Sequence, residues 1–280
     1  MIGQDVAMPV ALAPVGLTGM QHADGEIKAA KAAKAFGVPF TLSTMSINSI
    51  EDVAEATNAP FWFQLYTMRD ADYVSRLIQR AKDAHCSALV ITLDLQILGQ
   101  RHKDLKNGLS APPKLTPKTI ANLMTKWTWG LQMLQAKRRE FGNIVGHVDG
   151  ISDASSLGAW TAEQFDLTLD WGKIAKLKEQ WGGKVILKGI LDAEDAKMAL
   201  KVGADAIIVS NHGGRQLDGA DQFDQRPALD FGRGRGSSRE HLQHPVEIAP
   251  KNVSPKVDAP LSDQTMELLR EVRAEGFHVI

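Results

Sequence analysis

One cysteine, Cys86, serves all 280 residues, so no intrachain disulfide can form; a reducing compartment and an inert, structural thiol are expected. Charge of one sign is lacking too. With 32 Lys and Arg against 33 Asp and Glu the formal net charge is -1, which excludes a whole-molecule field that would gather nucleic acid or highly charged substrates. No apolar run reaches the roughly 20 residues that a membrane-spanning helix requires. Met1 to Met20 is apolar but has no basic leader and carries Asp5, Pro9 and Pro14, which suits a strand better than a signal peptide. A soluble or peripherally attached chain with the core of one large α/β domain is therefore expected.

What is present is a rhythm. Short apolar, β-branched runs at Val10–Val15, Pro39–Ser43, Phe61–Tyr66, Ala88–Asp94, Lys184–Ile190 and Ala206–Asn211 read as strands of a parallel sheet. Between them, Glu26–Phe36, Ser49–Thr57, Ala71–Ala84 and Ala193–Val202 carry helical patterns, several of which end at Gly. This is the alternation of a (β/α)8 TIM barrel, whose chemistry gathers at the C-terminal strand ends. Ser43, Gln64 with Tyr66, Thr92 with Asp94, Lys188 and His212 each fall at such an end.

Two regions break the rhythm. The stretch 95–183 is far longer than a normal βα connection and is read as an insertion, lid or loop within the barrel portion 1–220. Inside it, 127–139 combines Trp127, Trp129, Leu131, Met133 and Leu134 with Lys137, Arg138 and Arg139. That mixture suits an interfacial membrane anchor, and equally an amphipathic helix packed on the barrel. The second break follows Ala220, where 221–280 reads as a divergent, weakly ordered tail. His244–Ile248 and Phe277–Ile280 are its only short strand candidates, and Asp263–Glu275 a candidate helix. The run Gly232–Gly236 follows no strand, so neither a phosphate cradle nor a nucleic-acid role is expected of it. His241 and His244 lack a third ligand, so no metal is expected.

The most specific segment is Ser210-Asn211-His212-Gly213-Gly214-Arg215-Gln216-Leu217-Asp218-Gly219, directly after an apolar run. A strand-end His can act as general base, Gly-Gly admits a planar ligand close to the backbone, and Arg215 offers a fork for a carboxylate. This segment resembles the signature of the FMN-dependent 2-hydroxy acid dehydrogenases and oxidases. The resemblance extends over Leu12-Ala13-Pro14-Val15-Gly16, Thr41-Leu42-Ser43, Phe63-Gln64-Leu65-Tyr66, Ile91-Thr92-Leu93-Asp94, Leu98-Gly99-Gln100-Arg101 and Leu187-Lys188-Gly189-Ile190, all in family order. Within the family the wording is most similar to the bacterial flavin-type L-lactate dehydrogenases.

The resemblance implies a barrel that holds FMN and oxidises an L-2-hydroxy acid, lactate by preference, to the 2-oxo acid. It places Pro14, Val15 and Gly16 along the flavin edge, Ser43, Gln64 and Thr92 on the ring, and Lys188 at the part of the ring that gains negative charge. It makes His212 the base, Asp94 its orienting carboxylate, Tyr66 a substrate hydrogen-bonder, and Arg101 with Arg215 the carboxylate clamp. It further implies a quinone or respiratory acceptor, a cytoplasmic location that includes a peripheral seat on the inner face of the bacterial membrane through 127–139, and a family-type homo-oligomer. The family's N-terminal helical region and its seventh and eighth strands, with their phosphate loops, are not found. An incomplete barrel of six family-like strands is thus expected, with an inactive or frameshifted remnant unable to retain FMN as the alternative reading.

Overall fold

The computed structural model describes residues 1–95, 117–148, 160, 163–191, 193–214 and 278–279. Their strands are β1 Thr41–Ser43, β2 Trp62–Tyr66, β3 Ala88–Thr92, β4 Lys184–Ile190, β5 Ala206–Val209 and β6 His278–Val279. All pair in parallel and in chain order, β1 to β6. That order, with helices between strands, is the arc from which a (β/α)8 barrel is built.

Alternation along the strands separates two faces. Leu42, Phe63, Leu65, Leu89, Ile91, Val185, Leu187 and Ile207 lie in the main apolar core with the helices. On the opposite face, Trp62, Ala88, Val90, Ile186 and Ala206 form a second, smaller cluster, joined by Ile2 from the chain start. Trp62 Nε1 donates to Gln4 Oε1 at 3.2 Å there. The inner face is thus apolar toward the strand N-termini, while the polar positions two and four residues further along fall at the C-terminal ends.

The helices are α1 Thr18–Gln21, α2 Gly25–Phe36, α3 Ile50–Thr57, α4 Ala71–Asp83, α5 Pro117–Met124, α6 Trp127–Gln135, α7 Trp171–Trp181 and α8 Ala193–Lys201. Their starts follow capping chemistry. Ser49 and Asp52 make a capping box on α3, and the Asp70 and Asp170 carboxylates accept the Tyr73 and Lys173 amides of α4 and α7. Each such cap contributes about 1 kcal/mol. α2 and α7 stop at Gly37 and Gly182, which hold the left-handed backbone. Cys86 is buried, and that burial pushes its thiol well above the usual range.

Two expectations are corrected. Val10–Val15 is not a strand: only Leu12 bridges, to Phe40, through Leu12 N to Pro39 O at 2.8 Å and Thr41 N to Leu12 O at 3.1 Å. Pro14 has no amide to donate, and the Val10 amide is spent on Met8 O at 2.8 Å, so the pairing stops at one bridge. The tail's strand candidate Phe277–Ile280 is found, formed over His278–Val279 as the sixth strand, in register with Ala206 and Ile207. Finally, 95–183 includes an ordinary barrel helix, since Ile174 and Trp181 of α7 are buried in the main core. The expected elements at Asp263–Glu275 and His244–Ile248, and the run Gly232–Gly236, lie outside the described residues.

The segment 127–139 resolves into two faces. Trp127, Leu131 and Leu134, at spacings of four and three, are 68%, 52% and 68% exposed. On the other side Met133 is buried and Trp129 Nε1 donates to Met20 O at 2.9 Å. The basic run turns inward. Arg138 pairs with Asp52, Lys137 with Asp52 and Glu55, and the Arg139 guanidinium caps the end of α6 through Met133 O and Leu134 O. Burial opposes ionisation of Asp52, but the bonds from Arg138, the Ser49 amide and Lys137 outweigh it and hold the carboxyl below its ordinary value.

Candidate functional site

The inner-face polar positions converge because the register sets them side by side. Ser43 is level with Gln64, Tyr66 with Thr92, and Thr92 with Lys188. Ser43 Oγ donates to Gln64 Oε1 at 3.1 Å, and Gln64 Nε2 donates to Thr92 Oγ1 at 2.9 Å. All three side chains are buried. The result is a continuous polar row across three strand ends.

Beside this row lies the charged group of the site. The Asp94 carboxylate is 2.7 Å from His212 Nδ1. That contact engages Nδ1, and on the other side of the ring Tyr66 Oη lies 3.5 Å from Nε2. One ligand oxygen can touch both atoms. Lys188 is only 3% exposed; its ammonium donates to Ser210 Oγ at 3.0 Å and lies 3.9 Å from Asp94 Oδ2. A buried cation is costly unless it has a partner, and its three donors allow it to serve a ligand as well as Ser210.

Local backbone geometry makes this arrangement possible. His212 holds a left-handed φ of 59° and Gly213 follows at 66°, so the chain turns sharply after β5. Ser210 Oγ accepts from both Lys188 Nζ and the His212 amide, which pins the turn to β4. In β4 the register shifts between Lys188 and Ile190, and Gly189 takes φ 105°. A Cβ there would lie 2.8 Å from Asp94 Cβ and Cγ, so the bulge and the absent side chain give Asp94 its place.

The rim is formed by Pro14–Gly16, held beside the end of β1 by Leu17 N donating to Met45 O at 3.0 Å. Behind it the buried Glu26 carboxylate accepts the amides of Gly19 and Ile47 at 2.9 and 3.0 Å. Val15 and Gly16 are exposed at this rim. The described lining offers the Pro14–Gly16 segment on one side, hydroxyl and amide groups along one edge, and the buried Lys188 ammonium at the end.

Of the residues singled out from the sequence, Ser43, Gln64, Tyr66, Thr92, Asp94, Lys188 and His212 come together, with Pro14, Val15 and Gly16 at the rim. Arg101 and Arg215 lie outside the described residues. Sequence reasoning missed Ser210 as the link between Lys188 and His212, although its place two residues before the His, on the same strand face, was the available signal. It also missed Phe165, whose ring meets Tyr66 edge-on at 5.7 Å, and Asn143. Among the described residues no group of His, Cys, Asp and Glu could hold a metal ion.

The likenesses to known proteins point to one family. The chain is 46% identical over 218 residues to an L-lactate dehydrogenase of Pseudomonas paraeruginosa, covering 77% of this chain and 57% of that protein. It is 43% identical over 220 residues to an L-lactate dehydrogenase of Acinetobacter baumannii, covering 78% and 57%. Its fold matches that of (S)-mandelate dehydrogenase, a monotopic membrane protein, with a TM-score of 0.74 at 33% identity, over 80% of this chain and 59% of that one. Mandelate oxidase matches with a TM-score of 0.59 at 35% identity, over 79% and 54%. The chain thus spans 57% of the length of these curated relatives. The family described as FMN-dependent dehydrogenase matches residues 1–222, and with these identities and the polar row at the strand ends the chain belongs to that family.

Proposed function

We propose that this chain carries the site for FMN-dependent oxidation of an L-2-hydroxy acid to the 2-oxo acid, with L-lactate the favoured substrate. The carrying observation is the Asp94–His212 pair at 2.7 Å, with the buried Lys188 and the Ser43–Gln64–Thr92 row beside it. FMN, when bound, supplies the two-electron acceptor. Ser43, Gln64 and Thr92 would hold its ring, Pro14 to Gly16 would lie along its edge, and Lys188 would supply a fixed cation for the charge that develops there.

The proton chemistry belongs to the chain. His212 Nε2 takes a proton from the substrate while Asp94 keeps the ring oriented through Nδ1 and stabilises the imidazolium. Tyr66 Oη, close to Nε2, hydrogen-bonds the same substrate oxygen. Phe165, buried against the Tyr66 ring, limits the motion of that phenol. Arg101 and Arg215 are assigned to the substrate carboxylate on the resemblance of their motifs, a pairing of planar forks that would fix the Cα hydrogen for transfer.

The visible spectrum tests this reading. After reconstitution with FMN the purified chain is expected to show flavin bands that bleach on anaerobic addition of L-lactate, and more slowly with mandelate or glycolate. A protein that stays colourless, or whose bands ignore all three acids, would overturn it.

Electrons are assigned to a quinone or other respiratory acceptor, at a seat on the inner face of the bacterial membrane. Support comes from the exposed face of α6, and from the similarity to (S)-mandelate dehydrogenase, a monotopic membrane protein. No helix among the described residues is long and apolar enough to cross a membrane, so the contact would be interfacial. Since Lys137, Arg138 and Arg139 are engaged within the chain, apolar burial should dominate over headgroup charge. Sedimentation with phosphatidylcholine vesicles is expected to capture the chain nearly as well as vesicles containing phosphatidylglycerol. Replacing Trp127 and Leu131 by Gln should weaken capture about tenfold or more. Binding that requires anionic lipid and ignores those substitutions would shift the assignment to the basic residues.

A further inference from the structure

Asn143 comes from the long insertion, in the turn after α6, yet its side chain is 0% exposed and reaches the end of β1. Its Nδ2 lies 3.4 Å from Ser43 O, 3.4 Å from Thr44 O and 3.0 Å from Ser46 Oγ. On the other side its Oδ1 accepts the Ile50 amide at 3.0 Å and Arg80 Nη2 at 3.4 Å. The two peptide carbonyls it holds belong to residues wired to the site. Ser43 Oγ donates to Gln64 Oε1, and Thr44 Oγ1 donates to Gln64 O at 2.6 Å and accepts the Tyr66 amide at 3.2 Å. A shift of the Ser43–Thr44 peptides therefore moves the ring-facing hydroxyl of Ser43, and the two bonds that space β1 from Gln64 and Tyr66.

We propose that Asn143 is a positioning residue of the flavin site: the donor half of its carboxamide fixes the Ser43–Thr44 peptides, and through them the Ser43–Gln64–Thr92 row and Tyr66. Its flavin consequence rests on the function proposed above; its backbone consequence does not. The acceptor half has a separate task, satisfying the α3 amide at Ile50. One side chain of the insertion thus joins a helix start to the polar row. A carboxylate would keep the acceptor half, with Arg80 beside it, and lose both donors, setting oxygen against two carbonyl oxygens.

Asn143→Asp separates the two tasks. Tyr73→Phe is the comparison, because Tyr73 Oη donates to Asn143 O at 3.0 Å and its loss loosens the same turn without touching the carboxamide. In the full chain without flavin, hydrogen exchange is expected to speed up about tenfold at the amides of 44–46 in Asn143→Asp while those of α3 stay protected, and Tyr73→Phe should leave 44–46 unchanged. With FMN, the dissociation constant read by quenching of flavin fluorescence should rise about tenfold and the near-ultraviolet flavin band should shift, in Asn143→Asp only. Ser46→Ala, which removes one acceptor of Asn143 together with the Ser46 Oγ bond to Asn48 O but no cap, should show part of the same exchange change, and it decides the question if Asn143→Asp does not fold. Equal exchange at 44–46 in Asn143→Asp and Tyr73→Phe, or in Ser46→Ala and the parent when that variant decides, would overturn the proposal. An unchanged FMN dissociation constant beside altered exchange would overturn its flavin part. A parent chain that binds no FMN would sink the proposed function instead, while the exchange data would still decide the role of Asn143.

Discussion

His212→Asn is expected to retain FMN and to lose substrate-driven bleaching by about 10³- to 10⁴-fold, the scale that a positioned general base contributes. Asn suits the test because His212 sits at φ 59°, a left-handed conformation that Asn tolerates better than most side chains. The amide cannot take up a proton near neutral pH, so the turn after β5 survives while the chemistry does not. The flavin spectrum and the FMN dissociation constant should match those of the parent. A bleaching rate within about threefold of the parent would remove His212 from proton transfer and leave Tyr66, whose hydroxyl is 3.5 Å away, as the group to test next.

Gly189→Ala should do comparable damage from one step further out. Its φ of 105° lies where a side chain costs about 1–3 kcal/mol, and the new methyl would press on Asp94 at 2.8 Å from Cβ and Cγ and 2.9 Å from Oδ2. Because that carboxylate aligns His212 Nδ1, the loss reaches the reaction as well as stability. A lowering of Tm by roughly 5–10 °C and a fall in bleaching rate of about 10²-fold are expected. Gly203→Ala is the comparison: its φ is 76°, and its nearest contact is Lys178 Cε at 3.2 Å, the end of a flexible chain. That variant should lose stability with activity unchanged. Equal activities in the two variants would mean that Asp94 does not depend on the bulge.

The parts of the site readable in the sequence are those that follow a period. Gln64, Tyr66, Thr92, Asp94 and Lys188 stand at even positions along strands whose odd positions pack against helices, so each strand announces its inner face and its polar end. The β4 range coincides with the apolar run, and the others differ by the one or two residues at which pairing frays. Val10–Val15 misled because apolar content does not supply amide donors, and Pro removes them. α7 was hidden by the length of the insertion around it, although Asp170 before it and Gly182 after it are ordinary helix signals. Asn143 had no such signal. Its partners lie some 100 residues back along the chain, and only the folded arrangement brings them together.

The neighbours β3 and β4 are separated by a far longer stretch of chain than any other pair among β1 to β5. Loop-closure entropy grows only with the logarithm of length, so this roughly fourfold longer excursion costs only about 1 kcal/mol more than the connection before it. The penalty falls on rate: β1 to β3 can assemble from local crossovers, whereas β4 must find β3 across the whole insertion. Added length in this connection therefore carries little closure cost, whereas Met133, Arg138 and Asn143 within it make specific contacts with the barrel. The search for the β3–β4 register is expected to be the step at which the half-built sheet is most open to aggregation.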